Sequence, residues 1–121
     1  MAASSGFSFD QVRAQLRVRG LQARSGPDGT LTLVPRLAGT TRSDLLTTWG
    51  IDDHGHLYCD LTQSLDGPGS FDLLDAIATT TPCLPGNETH VAGLIAEQMQ
   101  TTIARLARVH PVPSPAMALS A

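Results

Sequence analysis

Leu45-Leu46-Thr47-Thr48-Trp49-Gly50-Ile51, Asp52-Asp53-His54-Gly55 and His56-Leu57-Tyr58-Cys59-Asp60-Leu61-Thr62 run consecutively through the middle of the chain. The last stretch alternates strictly, with Leu57, Cys59 and Leu61 on one face, as a half-buried strand does. Asp52-Asp53-His54-Gly55 is turn chemistry, because Asp, His and Gly tolerate left-handed backbone geometry. The first stretch admits two readings. Thr41 or Ser43 can cap a short helix through Leu45, Leu46 and Trp49. Alternatively, Leu45–Ile51 is a strand entering the turn, and Thr47, Thr48, Trp49 and Ile51 favour this, since all suit a pleated surface. Taken as strands, residues 45–62 form a hairpin and the fold contains a sheet.

Upstream, Thr30–Leu37 alternates with Leu31 and Leu33 on one face, and Gly26-Pro27-Asp28-Gly29 turns it back onto Leu21–Ser25, a second hairpin. Before that, Phe9, Val12 and Leu16 share a helical stripe over residues 9–19, with Val18 at its margin. Ser8 and Gln11 are spaced as a capping box and Gly20 is a C-terminal stop. Downstream, Ser70 caps an expected helix, Phe71–Thr80, with Leu73, Leu74 and Ile77 as its apolar side. Asn87 caps a longer one, Glu88–Val109, in which Val91, Leu94, Ile95, Met99, Ile103 and Leu106 recur at helical spacing. Glu88 at its start and Arg105 and Arg108 in its last turn complement the helix dipole. Pro111, Pro113 and Pro115 end it.

The order is helix, two hairpins, two helices. The expected fold is α+β: an N-terminal helix, an antiparallel sheet of about four strands and two C-terminal helices packed on one face. At 121 residues the chain suits one domain, set at 8–110 between a disordered 1–7 and a flexible Pro-rich 111–121. With aromatic content at 4%, the core falls to Leu, Ile, Val and Ala, with Phe9, Phe71, Trp49 and Tyr58 as its large anchors. No apolar run is long enough to span a bilayer, and the first residues carry neither the basic nor the apolar region of a secretory signal. A cytoplasmic protein without membrane association is expected.

Charge is distributed unevenly. All eight basic residues are arginines, six of them in residues 1–42 and none between Arg42 and Arg105, while residues 43–104 hold nine carboxylates. Such a chain either folds the two signs together or offers an anionic surface to something cationic. The absence of lysine excludes Schiff-base and phosphate-loop chemistry that needs it. Arg13, Arg17, Arg19 and Arg24 form a basic patch, but the acidic remainder and scarce aromatics argue against nucleic acid.

Three constellations carry residue types with chemistry. His54 and His56, two apart on a strand, share a face and, with Cys59, Cys83 or His90, have metal-ligand chemistry; ordinary turn chemistry is the simpler account, and no metal or cofactor is expected. Asp52/Asp53 point to opposite faces, and Asp72/Asp75 on a helix decorate a solvated surface. Cys59 or Cys83 with His90 has the residue types of a thiol nucleophile but no accompanying signature; core filling accounts for both cysteines. The expectation is not an enzyme, with a small metal- or thiol-dependent enzyme as an alternative.

Phe9–Gly20, the Leu21–Leu37 hairpin, the strand His56–Thr62 and the helix Glu88–Val109 resemble, in their layout, the class I chaperones of type III secretion and their chaperone-like relatives. The resemblance departs where Thr80 and Glu88 are joined by a short connector, since that family places two strands between its middle and final helices. It implies a homodimer that holds an extended effector-like polypeptide across sheet and helix surfaces without ATP, and it implies Leu31, Leu33 and Trp49 as partner contacts. An immunity or inhibitor protein capping a basic partner is the competing reading of the acidic middle.

Overall fold

A computed structural model describes residues 7–37, 39–64 and 71–110. Of the expected N-terminal segment 1–7, residues 1–6 lie outside them, as do the expected tail 111–121 and residues 65–70, with the expected cap Ser70. Helix α1 (Phe9–Val18) leads to strands β1 (Arg24–Ser25) and β2 (Leu31–Leu33), joined through a 3-10 turn at Pro27–Gly29. Two short strands, β3 (Arg36–Leu37) and β4 (Thr40–Thr41), pair only with each other. Strands β5 (Leu45–Ile51), β6 (His56–Ser64) and β7 (Phe71–Pro82) follow, then helices α2 (Glu88–Gln100) and α3 (Thr102–Val109). The main sheet is five-stranded and antiparallel throughout, in the order β1-β2-β5-β6-β7.

The central hairpin forms as its alternation requires. Asp52 and His56 close it through an Asp52 N–H to His56 C=O bond of 2.8 Å, and Gly55 takes the left-handed conformation at φ 79°. Leu45, Thr47 and Trp49 of β5 and Leu57, Cys59 and Leu61 of β6 all turn to one face and are buried. Leu31 and Leu33 of β2 join them. The cover is α1 and α2: Val12 and Leu16 meet Val91, Ala92 and Ile95 above the sheet. Trp49 is fully buried, and its indole Nε1 donates to Thr47 Oγ1 (2.9 Å), which donates in turn to the Leu33 carbonyl (2.8 Å). That chain satisfies the polar atoms the core takes out of water.

Four expectations are corrected. Phe71–Thr80 is a strand instead of a helix. Its residues pair with β6 over nearly its whole length, with Ile77 opposite Cys59 and Asp75 opposite Leu61. A run of Ile77 and three threonines favours the pleated form, and an open β6 edge offers backbone bonds that an isolated ten-residue helix lacks. The sheet therefore has five strands, and a bulge at Leu74, which lies between the Leu73 and Asp75 pairings, disguised the alternation. Second, the C-terminal helix bends at Thr101 (φ −112°, ψ −84°). The Thr101 hydroxyl donates back to the Glu97 carbonyl at 2.9 Å, a contact that bends helices; α2 and α3 are thus two pieces of the one expected helix Glu88–Val109. Third, neither Ser8 nor Asn87 caps through its side chain. Fourth, Phe71 is 63% exposed and anchors no core.

Glu88 does the work the absent caps leave. Its Oε2 accepts from the Ser8 amide at 3.1 Å and its Oε1 from the Gly86 amide at 2.9 Å. One carboxylate thereby serves the N-termini of α1 and α2, where helix dipoles favour negative charge. Its own backbone amide, then those of Ser8 and Gly86, hold the carboxyl below its ordinary range.

At the other end, Arg42 is 7% exposed. Its Nε and Nη2 grip Asp44 at 2.9 and 2.8 Å, while Nη1 and Nη2 donate to the Ala107 and His110 carbonyls at 2.7 Å each. It thus satisfies the last carbonyls of α3 and fastens that helix to the start of β5. Gln63 of β6 donates to Asp44 at 3.0 Å. The Arg42 hydrogen bond, with help from Gln63 and against the pull of burial, brings Asp44 down to about 2.

Candidate protein-binding surface

With α1, α2 and α3 on one side, the opposite side of the sheet carries no covering element among the described residues. Paired residues in an antiparallel ladder share a face, so the register states what this open face presents. Leu46, Thr62 and Leu73 form one row across β5, β6 and β7; Thr48, Asp60 and Ala76 form the next; Gly50, Tyr58 and Ala78 a third. Ser64 and Phe71 extend it at one end. Across β5, β6 and β7 Asp60 is the single charged residue in these rows; the Thr48 row continues through Thr32 of β2 to Arg24 of β1.

A solvated sheet face ordinarily carries charged and long polar side chains in alternation with the core. Here Phe71 is 63% exposed, Leu73 60% and Leu46 37%, and they gather at one end. At the other end the open face runs into a groove of about 790 Å³ between the start of α1 and the β1–β2 turn, lined by Phe7, Phe9, Thr48, Gly50, Ile51 and Tyr58 among others. Phe7 and Phe9 stack edge-to-face with centroids 5.1 Å apart. Gly50 makes this shape: a Cβ there would lie 2.7 Å from the Tyr58 hydroxyl, so the ring lies flat over bare backbone. Asp10 and Asp28 line the groove's polar edge.

The free edge of β7 borders the same face. It is twelve residues long and bonded on one side only, to β6. Long unpaired edges are templates for an added strand, and proteins blunt them with lysine, proline or bulges. β7 has its bulge beside Leu74 and Pro82 at its end, but no basic residue. Asp72 and Asp75 lie along it, exposed.

The residues singled out in the sequence divide sharply. Leu31, Leu33 and Trp49, implied as partner contacts, lie in the core at 1%, 2% and 0% exposure; they are corrected to structural residues, because the apolar face of each strand is the one the helices cover. The contacts available to a partner sit at the alternate positions. The signal for them was present in the sequence: Leu46, Thr48, Gly50, Tyr58, Asp60 and Thr62 are the outward places of a hairpin, and only Asp60 is charged.

The His54 and His56 rings stand 6.2 Å apart, while the Oδ1 of neighbouring Asp52 is taken by the His54 and His56 amides at 2.8 and 2.9 Å. Those bonds, the His56 amide first, lower the Asp52 carboxyl from its ordinary value. Cys59 faces the core, away from the turn. Among the described residues no three His, Cys, Asp or Glu side chains gather as metal ligands would. Both cysteines are free and buried. Desolvation pushes the Cys59 thiol up, and pushes Cys83 up to about 11, so neither is poised as a thiolate nucleophile.

Charge separation persists in the fold. Among the described residues there are two ion pairs, Arg13–Asp10 at 3.3 Å and Arg42–Asp44 at 2.8 Å. Among the described central carboxylates only Asp44 meets an arginine; Asp52, Asp53, Asp60, Asp72, Asp75 and Glu97 form no ion pair with one. No helix is long and apolar enough to cross a membrane. No described protein family, curated protein or solved structure is a match for this chain.

Proposed function

We propose that this chain is a non-enzymatic protein-binding module of the secretion-chaperone kind, which holds an extended segment of a partner polypeptide. The observation that carries it is the open sheet face: one charge in the three rows across β5, β6 and β7, with Phe71, Leu73 and Leu46 uncovered beside an unpaired edge. A guest strand added to β7 gains main-chain hydrogen bonds, and its alternate side chains fall on that apolar end. Asp60, Asp72 and Asp75, unneutralised, select a segment bearing arginine or lysine. The guest binds without ATP, and the protein works as a homodimer in the cytoplasm.

The test compares the wild-type chain with Leu73→Lys and Phe71→Lys as bait in its native host, with light scattering on each. Both substitutions lie on solvent-exposed positions, so thermal unfolding stays within a few degrees of wild type. A polypeptide retained by the wild type and lost from both variants supports the reading. Equal retention by all three, or no retained polypeptide at all, removes it. The unpaired carboxylates also favour a second reading, an inhibitor capping a basic protein. That version requires a folded partner, a stoichiometric complex and an association rate that drops steeply with salt.

A further inference from the structure

Strand β7 sorts its side chains by face, and the two faces differ in chemistry. Its pairing with β6 fixes the sorting, because paired residues share a face. Leu73 lies opposite Thr62, Ala76 opposite Asp60 and Ala78 opposite Tyr58, which puts all three on the open face, and Phe71, opposite Ser64, precedes them there. Asp72 lies opposite Gln63, Asp75 opposite Leu61 and Ile77 opposite Cys59, on the side the helices cover. At the bulge two consecutive residues share that side. Leu74 packs against Leu45, Leu61 and Ala107, and Asp75 beside it stays exposed.

From Phe71 to Ala78, then, the open side of the free edge is wholly apolar, and the helix side carries two exposed carboxylates. Asp72 and Asp75 are three apart in β7, but their partners Gln63 and Leu61 are two apart. The bulge thus sets them on alternate rungs of the ladder. Arg105 and Arg108 belong to α3, the helix over this end, yet neither forms an ion pair with Asp72 or Asp75. Asp75 also touches the edge itself. Its Oδ1 accepts the Ala76 amide at 2.8 Å, so a backbone donor of β7 is held by a side chain of β7. A strand added here takes over that donor, and Asp75 yields it most readily to a cation placed opposite.

Side chains of an added strand alternate between the faces whichever way it runs. Those level with Leu73, Ala76 and Ala78 fall on the open side, and those level with Asp72 and Asp75 on the helix side. An acidic residue there would meet like charge, and a cation opposite charge. We infer that the guest of the β7 edge is a two-faced strand: apolar at alternate positions, arginine or lysine between them, its cations on the helix side against Asp72 and Asp75. This rests on the reading of that edge as the guest site, and adds the order of side chains the guest must have.

The test titrates the full chain with peptides of about ten residues and follows amide hydrogen exchange by NMR. The peptides alternate Val with Lys, Val with Thr, or Val with Glu; a fourth has the first composition as a block of valines followed by a block of lysines. A strand added to β7 slows exchange of the Ala76 amide. The Val–Lys alternation is expected to bind about tenfold tighter than Val–Thr at about 50 mM NaCl, with Val–Glu and the block peptide weaker than Val–Lys by at least as much. Raising NaCl to about 300 mM shrinks the advantage several-fold. Asp72→Asn combined with Asp75→Asn brings Val–Lys down to the level of Val–Thr, whose own binding is unchanged. Both positions are exposed, so the variant folds, and asparagine at 75 still offers the Ala76 amide an acceptor. If Val–Thr or the block peptide equals Val–Lys, or the variant keeps the preference, the two-faced rule is overturned while strand addition at β7 stands. If no peptide protects Ala76, the guest reading of the edge falls with it.

Discussion

The two faces of the one sheet have opposite characters although they alternate along the same strands. On the covered face Leu45, Thr47, Trp49, Leu57, Cys59 and Leu61 are at most 1% exposed, and each polar atom has its partner. On the open face Leu46, Leu73 and Phe71 are between 37% and 63% exposed and nothing described contacts them from above. The helices cover the first face, and the second is left uncovered among the described residues. Burial separates the two faces more sharply than polarity, since the open face mixes Leu46, Leu73 and Phe71 with Thr48, Thr62 and Asp60.

The sharpest test of that division replaces one residue from each side. Trp49→Ala removes the largest core side chain and leaves Thr47 without its donor, a loss of about 3–5 kcal/mol in urea unfolding. Leu73→Ala changes stability by less than about 0.5 kcal/mol in the same assay. Comparable costs at the two positions would mean that the open face is covered in solution.

A second comparison sets the buried ion pair against the exposed one. Arg42→Ala strands Asp44 together with the Ala107 and His110 carbonyls and costs about 2–4 kcal/mol. Hydrogen exchange should accelerate first in α3, which loses its tether. Arg13→Ala breaks a solvent-facing pair and costs less than about 1 kcal/mol.

Gly50→Ala probes the open face itself. The new methyl meets the Tyr58 ring, which swings aside at a cost of about 1 kcal/mol. In a Tyr58→Ala background the same change should be close to neutral. A double-mutant cycle measures the difference.

The smallest effect is in acid. Asp44 titrates lower folded than unfolded, so its contribution is fully present above the unfolded value, near pH 4. It is lost as pH falls from there towards about 2. Asp44→Asn should flatten that limb of the stability–pH curve relative to wild type. Unchanged curvature would show that other carboxylates, such as Glu88 and Asp52, set the acid transition.

These contrasts also explain how much of the molecule was legible beforehand. Residues 45–62 declared themselves because a hairpin with one covered face writes a two-residue period, which the register preserves without interruption. β7 did not. Its bulge at Leu74 places Leu73, Leu74 and Ile77 at a spacing a helix also satisfies, and a neighbour's open edge is not visible in a local window. The break at Thr101 carries no Gly or Pro signal. The Arg42–Asp44 clasp lies two residues apart in sequence, but its purpose depends on α3, more than sixty residues on. For the same reason apolar strand residues pointed to the core when they were sought as contacts: periodicity shows which side chains share a face, and only packing shows which face is left over.

The bonds of Glu88 have a bearing on how the chain matures. The Ser8 amide waits for a carboxylate eighty positions later, and Val12 and Leu16 find their cover only once Val91 and Ile95 exist. During synthesis, then, the first helix leaves the ribosome with its apolar stripe unclaimed and its arginines beside it. It docks on α2 only when that helix is made, so a folding order that closes this contact late is expected.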